Sequence, residues 1–237
     1  MLAELEEARQ VQRALIPRLP FSWGPWRFMG ALLPSSAVGG DLLDVVPCGH
    51  DRCVALLIDV CGHGVGAALA AASIRADLRA LVAAHPLVAA LSLLNERLVA
   101  EDSPRYACVG GVELTTTSVT IVNAGLPPVC VGRDGVVRVS VEASGIPPGM
   151  LPGGGYEASV VQVLPGDRIL LMSDGVTEPF GPADATAAAA AELSIFDPRA
   201  WCEADLSGGA EILGRRMAKN PGPLTDDATV LVVEAAR

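Results

Sequence analysis

Residues 54–72, VALLIDVCGHGVGAALAAA, decide how this chain is read. Five apolar residues, Val54 to Ile58, run into an acid, Asp59. A Gly-His-Gly turn follows, and then an alanine-rich stretch with the composition of a helix. A buried strand that ends on a carboxylate, at a glycine-rich turn aimed at a helix N-terminus, has two explanations: a nucleotide site or a metal site. Gly62, Gly64 and Ala67 match the dinucleotide pattern G-x-G-x-x-A. That pattern wants an acid about twenty residues on, at the end of a second strand. Here that region is ALVAAHPL, with no acid, and the remaining chain lacks strand-helix-strand alternation. The nucleotide reading also gives no reason for Asp59, and it is set aside.

Working outward, Asp59 has counterparts. VGGDLLDVV places Asp41 directly after two glycines, ILLMSDGVTE ends an apolar run on Asp174, and LTDDATVLVV places Asp226 and Asp227 before a final apolar run. Taken singly, an aspartate at a strand end is a turn former or helix cap, and for Asp226 and Asp227 alone turn chemistry is the better reading. Four carboxylates converging on one sheet edge would instead repel unless a cation stood among them. Hard oxygen donors suit Mg²⁺ or Mn²⁺. Two such ions polarise a phosphate and lower the pKa of a shared water, and glycine lets backbone come close.

The surrounding pattern predicts an α+β fold. Residues 1–16 carry Leu2, Leu5, Ala8, Val11 or Gln12, and Leu15 on one helical face, and Pro17 and Pro20 end the helix. Residues 64–84 and PLVAALSLLNERLVAE read as two more helices. After Arg105 the texture is mostly β: TTTSVTIVN is β-branched, an Asp-Gly pair at 134–135 marks a hairpin, and 156–175 reads strand, turn, strand. Residues 183–193 and 211–219 read as helices before the last strand. Strands such as 54–58 and 169–172 are apolar on both faces and need cover on both. Two mostly antiparallel sheets flanked by helices satisfy this. Residues 1–20 are expected to form an N-terminal connector helix and 21–237 one domain.

The net charge of −10 excludes a nucleic-acid binder, since phosphate contacts need clustered Lys and Arg. The acidic start and the lack of a long uninterrupted apolar run predict no signal peptide, no membrane span and a cytoplasmic location. Cys48, His50 and Cys53 form a cysteine-histidine cluster, but without a fourth ligand nearby a turn explains it better than zinc does.

The segments ARQVQRALIP, AVGGDLLDVV, IDVCGHGVGAALA, VNAGLPP, GIPPGM, LPGDRILLMSDGVTE and DDATVLVV occur in the order seen in bacterial serine/threonine phosphatases of the PP2C type. The chain resembles the subgroup of SpoIIE and RsbU, which regulate sigma factors, over residues 8 to 180 and again over 224 to 234. The resemblance implies an α-β-β-α sandwich holding two Mn²⁺ or Mg²⁺ ions between its sheets. Asp59 would bridge the ions and the Val60 carbonyl would serve one of them. Asp174 and Asp226 would bind the other, and Asp41 would hold a metal-bound water. A metal-activated water would attack phosphorus directly, with no phosphoenzyme. His63 is either a general acid to the leaving serine oxygen or a brace for the loop, the latter being preferred.

Three features depart from the family pattern. Leu126 stands where a histidine is usual, Cys61 stands in the metal loop and invites oxidation, and residues 181–220 do not follow the usual sequence. No arginine for phosphate capture is evident. The implied function is hydrolysis of phosphoserine or phosphothreonine on a regulatory protein, an anti-sigma-factor antagonist by resemblance. A pseudophosphatase that only binds partners is the alternative, and a hydrolase of small phosphoesters is a third reading. The N-terminal helix would connect to an upstream sensor or form a homodimer.

Overall fold

A computed structural model describes residues 2–101, 105–116, 118–133, 136–177 and 226–236. The helices expected at 183–193 and 211–219 lie outside these. The chain opens with helix α1 (Leu2–Leu15), followed by β1 (Phe21–Trp23), β2 (Trp26–Leu33), β3 (Asp41–Pro47) and β4 (Cys53–Val60). Helices α2 (Gly64–Ala84) and α3 (Leu87–Ala100) come next. Then follow β5 (Ala107–Leu114), β6 (Val119–Ala124), β7 (Val129–Arg133), β8 (Val136–Val141), β9 (Ser159–Val161) and β10 (Arg168–Met172). A four-residue helix, α4 (Asp174–Thr177), and β11 (Ala228–Ala235) complete the described elements.

The strands form two antiparallel sheets, ordered β1-β2-β11-β10-β7-β8 and β3-β4-β5-β6-β9. The expected α+β sandwich is what the chain builds. One expectation needs refinement. The strand-turn-strand at 156–175 is no hairpin, because β9 pairs with β6 in one sheet and β10 joins β7 and β11 in the other. Apolar strands buried on both faces give no sequence signal of which sheet they join.

Alternation along each strand places the core and, with it, the acids. On β4, Cys53, Ala55 and Leu57 enter the cluster between the sheets, whereas Val54, Leu56, Ile58 and Val60 face the helices. On β3, Leu43 and Val45 face inward, and Leu42 and Val46 face the helices. Successive side chains on a strand point to opposite faces. Asp41 and Asp59 therefore share the inward parity and end their strands at the rim of the space between the sheets. The helical cover follows from period: α2 buries Ala67, Ala71, Ile74, Leu78 and Val82, three or four residues apart, against the β3–β4 face. A third buried cluster, including Met29, Met172, Val176 and Val230, lies on the outer face of the first sheet. Among the described residues no helix is long and apolar enough to cross a membrane.

Candidate metal centre

Asp41 and Asp59 are direct cross-strand partners, so the first two candidate acids stand side by side. Asp41 is 2% exposed, and its Oδ2 has no hydrogen-bond partner. Its pKa lies well above the carboxylate range, first because of burial and then because of the Asp59 charge; the Ser173 and Thr229 hydroxyls offset part of this. Asp59 is pushed up to about 7 by burial and by the charges of Asp174, Asp226 and Asp227, with a hydrogen bond from Asp41 as a partial offset. The acids predicted from four separate stretches thus feel one another in one place. Asp174 is exposed at the start of α4, and Asp226 is half-buried just ahead of β11.

The Val60 carbonyl faces Gly40. A Cβ at Gly40 would come within 2.6 Å of the Val60 oxygen, so only glycine leaves that oxygen open. The two strands are also tied here by the Val60 amide, which donates to the Gly40 carbonyl at 3.3 Å.

Asp227, read from sequence as turn chemistry, has a larger task. It accepts from the Ser35 amide (2.7 Å), the Ser35 hydroxyl (2.9 Å) and the Gly40 amide (2.6 Å), and so pins the loop that delivers Asp41. A Cβ at Gly39 would stand 2.0 Å from Asp227 Oδ2, which explains the glycine pair before Asp41. From the other side Gln12 of α1 donates to the Gly39 carbonyl at 2.6 Å and accepts from its amide at 3.2 Å.

His63 is exposed at the N-cap of α2 and makes no side-chain capping hydrogen bond among the described residues. Leu126 packs in the core between the sheets, where a Cβ at Gly110 would meet it at 2.6 Å. The family's usual histidine is thus replaced at a core position. Cys108, directly across from Asp59, went unnoticed in the sequence; burial and the Asp59 and Asp174 charges push its thiol up to about 12. At the cysteine-histidine cluster, Cys48 contacts the Val46 and Val82 carbonyls and Cys53 is wholly buried, as apolar packing demands.

Among the described residues no three His, Cys, Asp or Glu side chains are grouped tightly enough to enclose one ion by themselves. Mg²⁺-like ions do not need such an enclosure, since they keep several waters and use one or two carboxylates each. The orphaned Asp41 oxygen, the bared Val60 carbonyl and the mutual repulsion of the acids all fit hard cations.

Comparison with known proteins agrees. The family model described as stage II sporulation protein E (SpoIIE) matches residues 49–236. Protein IcfG of Synechocystis sp. is 23% identical over 210 residues, covering 76% of this chain and 33% of that protein. The phosphoserine phosphatase RsbP of Bacillus subtilis is 25% identical over 184 residues, covering 74% of this chain and 45% of that protein. The chain therefore spans less than half the length of either relative. The crystal structure of the RsbU and RsbW domains of Rv1364c from Mycobacterium tuberculosis superposes with a TM-score of 0.72 and 28% identity, covering 93% of this chain and 62% of that one. RsbX, solved in complex with magnesium, shares the fold at a TM-score of 0.63 and 11% identity, covering 93% of this chain and all of that one (100%). With the sandwich, the rim of acids and the matched family in agreement, the chain belongs to the SpoIIE family of PP2C-type serine/threonine protein phosphatases.

Proposed function

We propose that this domain is an active, metal-dependent phosphatase that hydrolyses phosphoserine or phosphothreonine on a regulatory protein of the anti-sigma-factor antagonist type. The observation that carries the reading is the Asp41–Asp59 pair: a buried acid and a half-buried one side by side, with further acids near them, that would suit cations. Asp59, the Val60 carbonyl, Asp174 and Asp226 would hold two Mn²⁺ or Mg²⁺ ions, with Asp41 beside them. Bound there, the ions would supply Lewis acidity toward the phosphate and ionise a water. The chain's own work is to keep hard donors aimed into the space between the sheets. Asp227 and Gln12 do so for the Asp41 loop, and Gly40 for the Val60 carbonyl. His63, exposed at the N-cap of α2, would be the candidate general acid to a leaving serine oxygen.

The phosphoserine assignment draws on the RsbP name, and the antagonist assignment on the pairing of RsbU with RsbW domains in Rv1364c. Helix α1 is proposed as the connector to an upstream sensor or a second copy. Val11 of α1 and Val65 and Leu69 of α2 leave apolar surface exposed, and Gln12 links α1 to the loop before Asp41. Removing residues 1–16 is expected to change oligomeric state or basal turnover; if gel filtration and rate both stay put, the connector is rejected.

The deciding experiment is hydrolysis of an aryl phosphate with Mn²⁺, with Mg²⁺ and with EDTA, alongside Asp174→Asn. Metal-dependent turnover that the variant loses supports the proposal. Turnover indifferent to EDTA or to the variant rejects it. A folded protein that neither turns over nor binds ions is the pseudophosphatase.

A further inference from the structure

Arg105, just ahead of β5, escaped the sequence reading although it touches the turn that carries the site. Its Nη1 donates to the Cys61 carbonyl at 2.5 Å. A Cβ at Gly62 would stand 2.6 Å from Nη1, and one at Gly66 would stand 3.0 Å from Nη2. The guanidinium thus occupies a slot in the Gly-His-Gly-Val-Gly segment that exists because both positions lack a side chain. Gly62 also has φ +87°, a conformation glycine adopts without strain. The next residue completes the grip: the Cys61 amide donates to the Tyr106 carbonyl at 3.1 Å. Residues 105 and 106 therefore hold Cys61 by both its carbonyl and its amide, one residue beyond Val60 and two beyond Asp59.

We propose that Arg105 is a positioning residue for the acid rim, fixing the Cys61–Gly62 turn so that the Asp59 carboxylate and the Val60 carbonyl are presented together. The inference rests on the metal reading of the site and concerns how this chain shapes it. Arginine suits the task because its planar fork spans a carbonyl and a flat slot at once, which the point charge of lysine does not.

The sign of the effect separates positioning from charge. Removing a cation beside a group of acids would, by charge alone, tighten the binding of added cations. Losing the grip on Cys61 would weaken it.

The test is calorimetric titration of Mn²⁺ into wild type, Arg105→Ala, Arg105→Lys and Gly66→Ala, each checked for fold by circular dichroism, with aryl phosphate kinetics in parallel. Arg105→Ala is expected to raise the Mn²⁺ dissociation constant about tenfold, the scale of one lost hydrogen bond to a charged donor. Arg105→Lys, with the charge kept and the fork lost, should follow it most of the way. Gly66→Ala should move in the same direction by a smaller factor, although alanine is the better helix former. At saturating Mn²⁺ the kcat should return to near wild type with KM unchanged. Unchanged or tighter Mn²⁺ binding in folded Arg105→Ala overturns the inference. A raised KM with unchanged Mn²⁺ affinity overturns it too, and assigns Arg105 to the substrate. Wild type that takes up no Mn²⁺ sinks the metal reading itself.

Discussion

Strand β3 carries two buried aspartates three residues apart, and they are solved in opposite ways. Asp44 is fully buried on the helix side, where Arg75 reaches it at 3.0 Å and Arg79 at 2.6 Å from successive turns of α2, and the Val45 amide donates to it at 2.8 Å. Asp41 is buried on the other face, where its charged neighbours are acids and one of its oxygens has no partner. A buried charge is tolerated when it is paired. For Asp44 the fold supplies the cations; for Asp41 the described residues supply none. The alternation of one strand thus separates an acid that holds α2 to the sheet from an acid without a cationic partner among the described residues, as the proposed metal ligation would require.

The largest effect that can break this comparison is on turnover. Asp41→Asn or Asp59→Asn should cut metal-dependent hydrolysis of an aryl phosphate by about a thousandfold or more, roughly 4 kcal/mol of transition-state stabilisation. The same variants should raise the thermal midpoint of the metal-free protein at neutral pH, because one member of a repelling group is gone. Variants that turn over normally would put Asp41 in the same structural class as Asp44. Next in size is the stability of Asp44→Asn. Stranding two arginines against the β3 face should cost about 3–5 kcal/mol in urea unfolding, while turnover per folded molecule is retained. A loss under about 1 kcal/mol, in the range of a surface pair, would mean that solvent already screens the Asp44 charge.

Of the two aspartates, the sequence singled out only Asp41. Asp41 and Asp174 stand beside glycine, and Asp41, Asp59, Asp174 and the Asp226–Asp227 pair each stand at the edge of an apolar run; that local pattern survives in one dimension. Asp44 has no such mark, since its partners Arg75 and Arg79 lie on α2 and nothing local couples them to LLDVV. The same holds for Asp227 with Gly40, 187 residues apart, for Gln12 with Gly39, and for Arg105 with Cys61. Element types were legible because period and turn residues are local. The assignment of β9 and β10 to different sheets was not, because both runs are short and apolar and either sheet would bury them. Leu126 was legible only as a departure from the family pattern, and the fold adds that its side chain packs in the core between the sheets.

The smallest effect sharpens the comparison most, because it reads the unpaired acids without any metal. In the folded chain Asp59 titrates at about 7, against an ordinary value of 3.8. Between roughly pH 4 and pH 7 the folded protein therefore holds a proton that the unfolded chain has released. The proton's contribution to stability is complete below about pH 4, shrinks as pH rises, and is gone above about pH 7. In EDTA, Asp59 alone should lower unfolding free energy by about 2–3 kcal/mol from pH 5 to pH 7, at ~1.4 kcal/mol per pH step, and the raised Asp41 adds to that fall. Mn²⁺ competes with that proton for the same oxygens, so saturating metal should flatten the slope. The double variant Asp41→Asn with Asp59→Asn should flatten it too, with or without metal, because the neighbouring Asp41 is raised as well. If the slope persists in the double variant, the proton is held elsewhere, and the rim is not the set of mutually repelling acids that distinguishes it from Asp44.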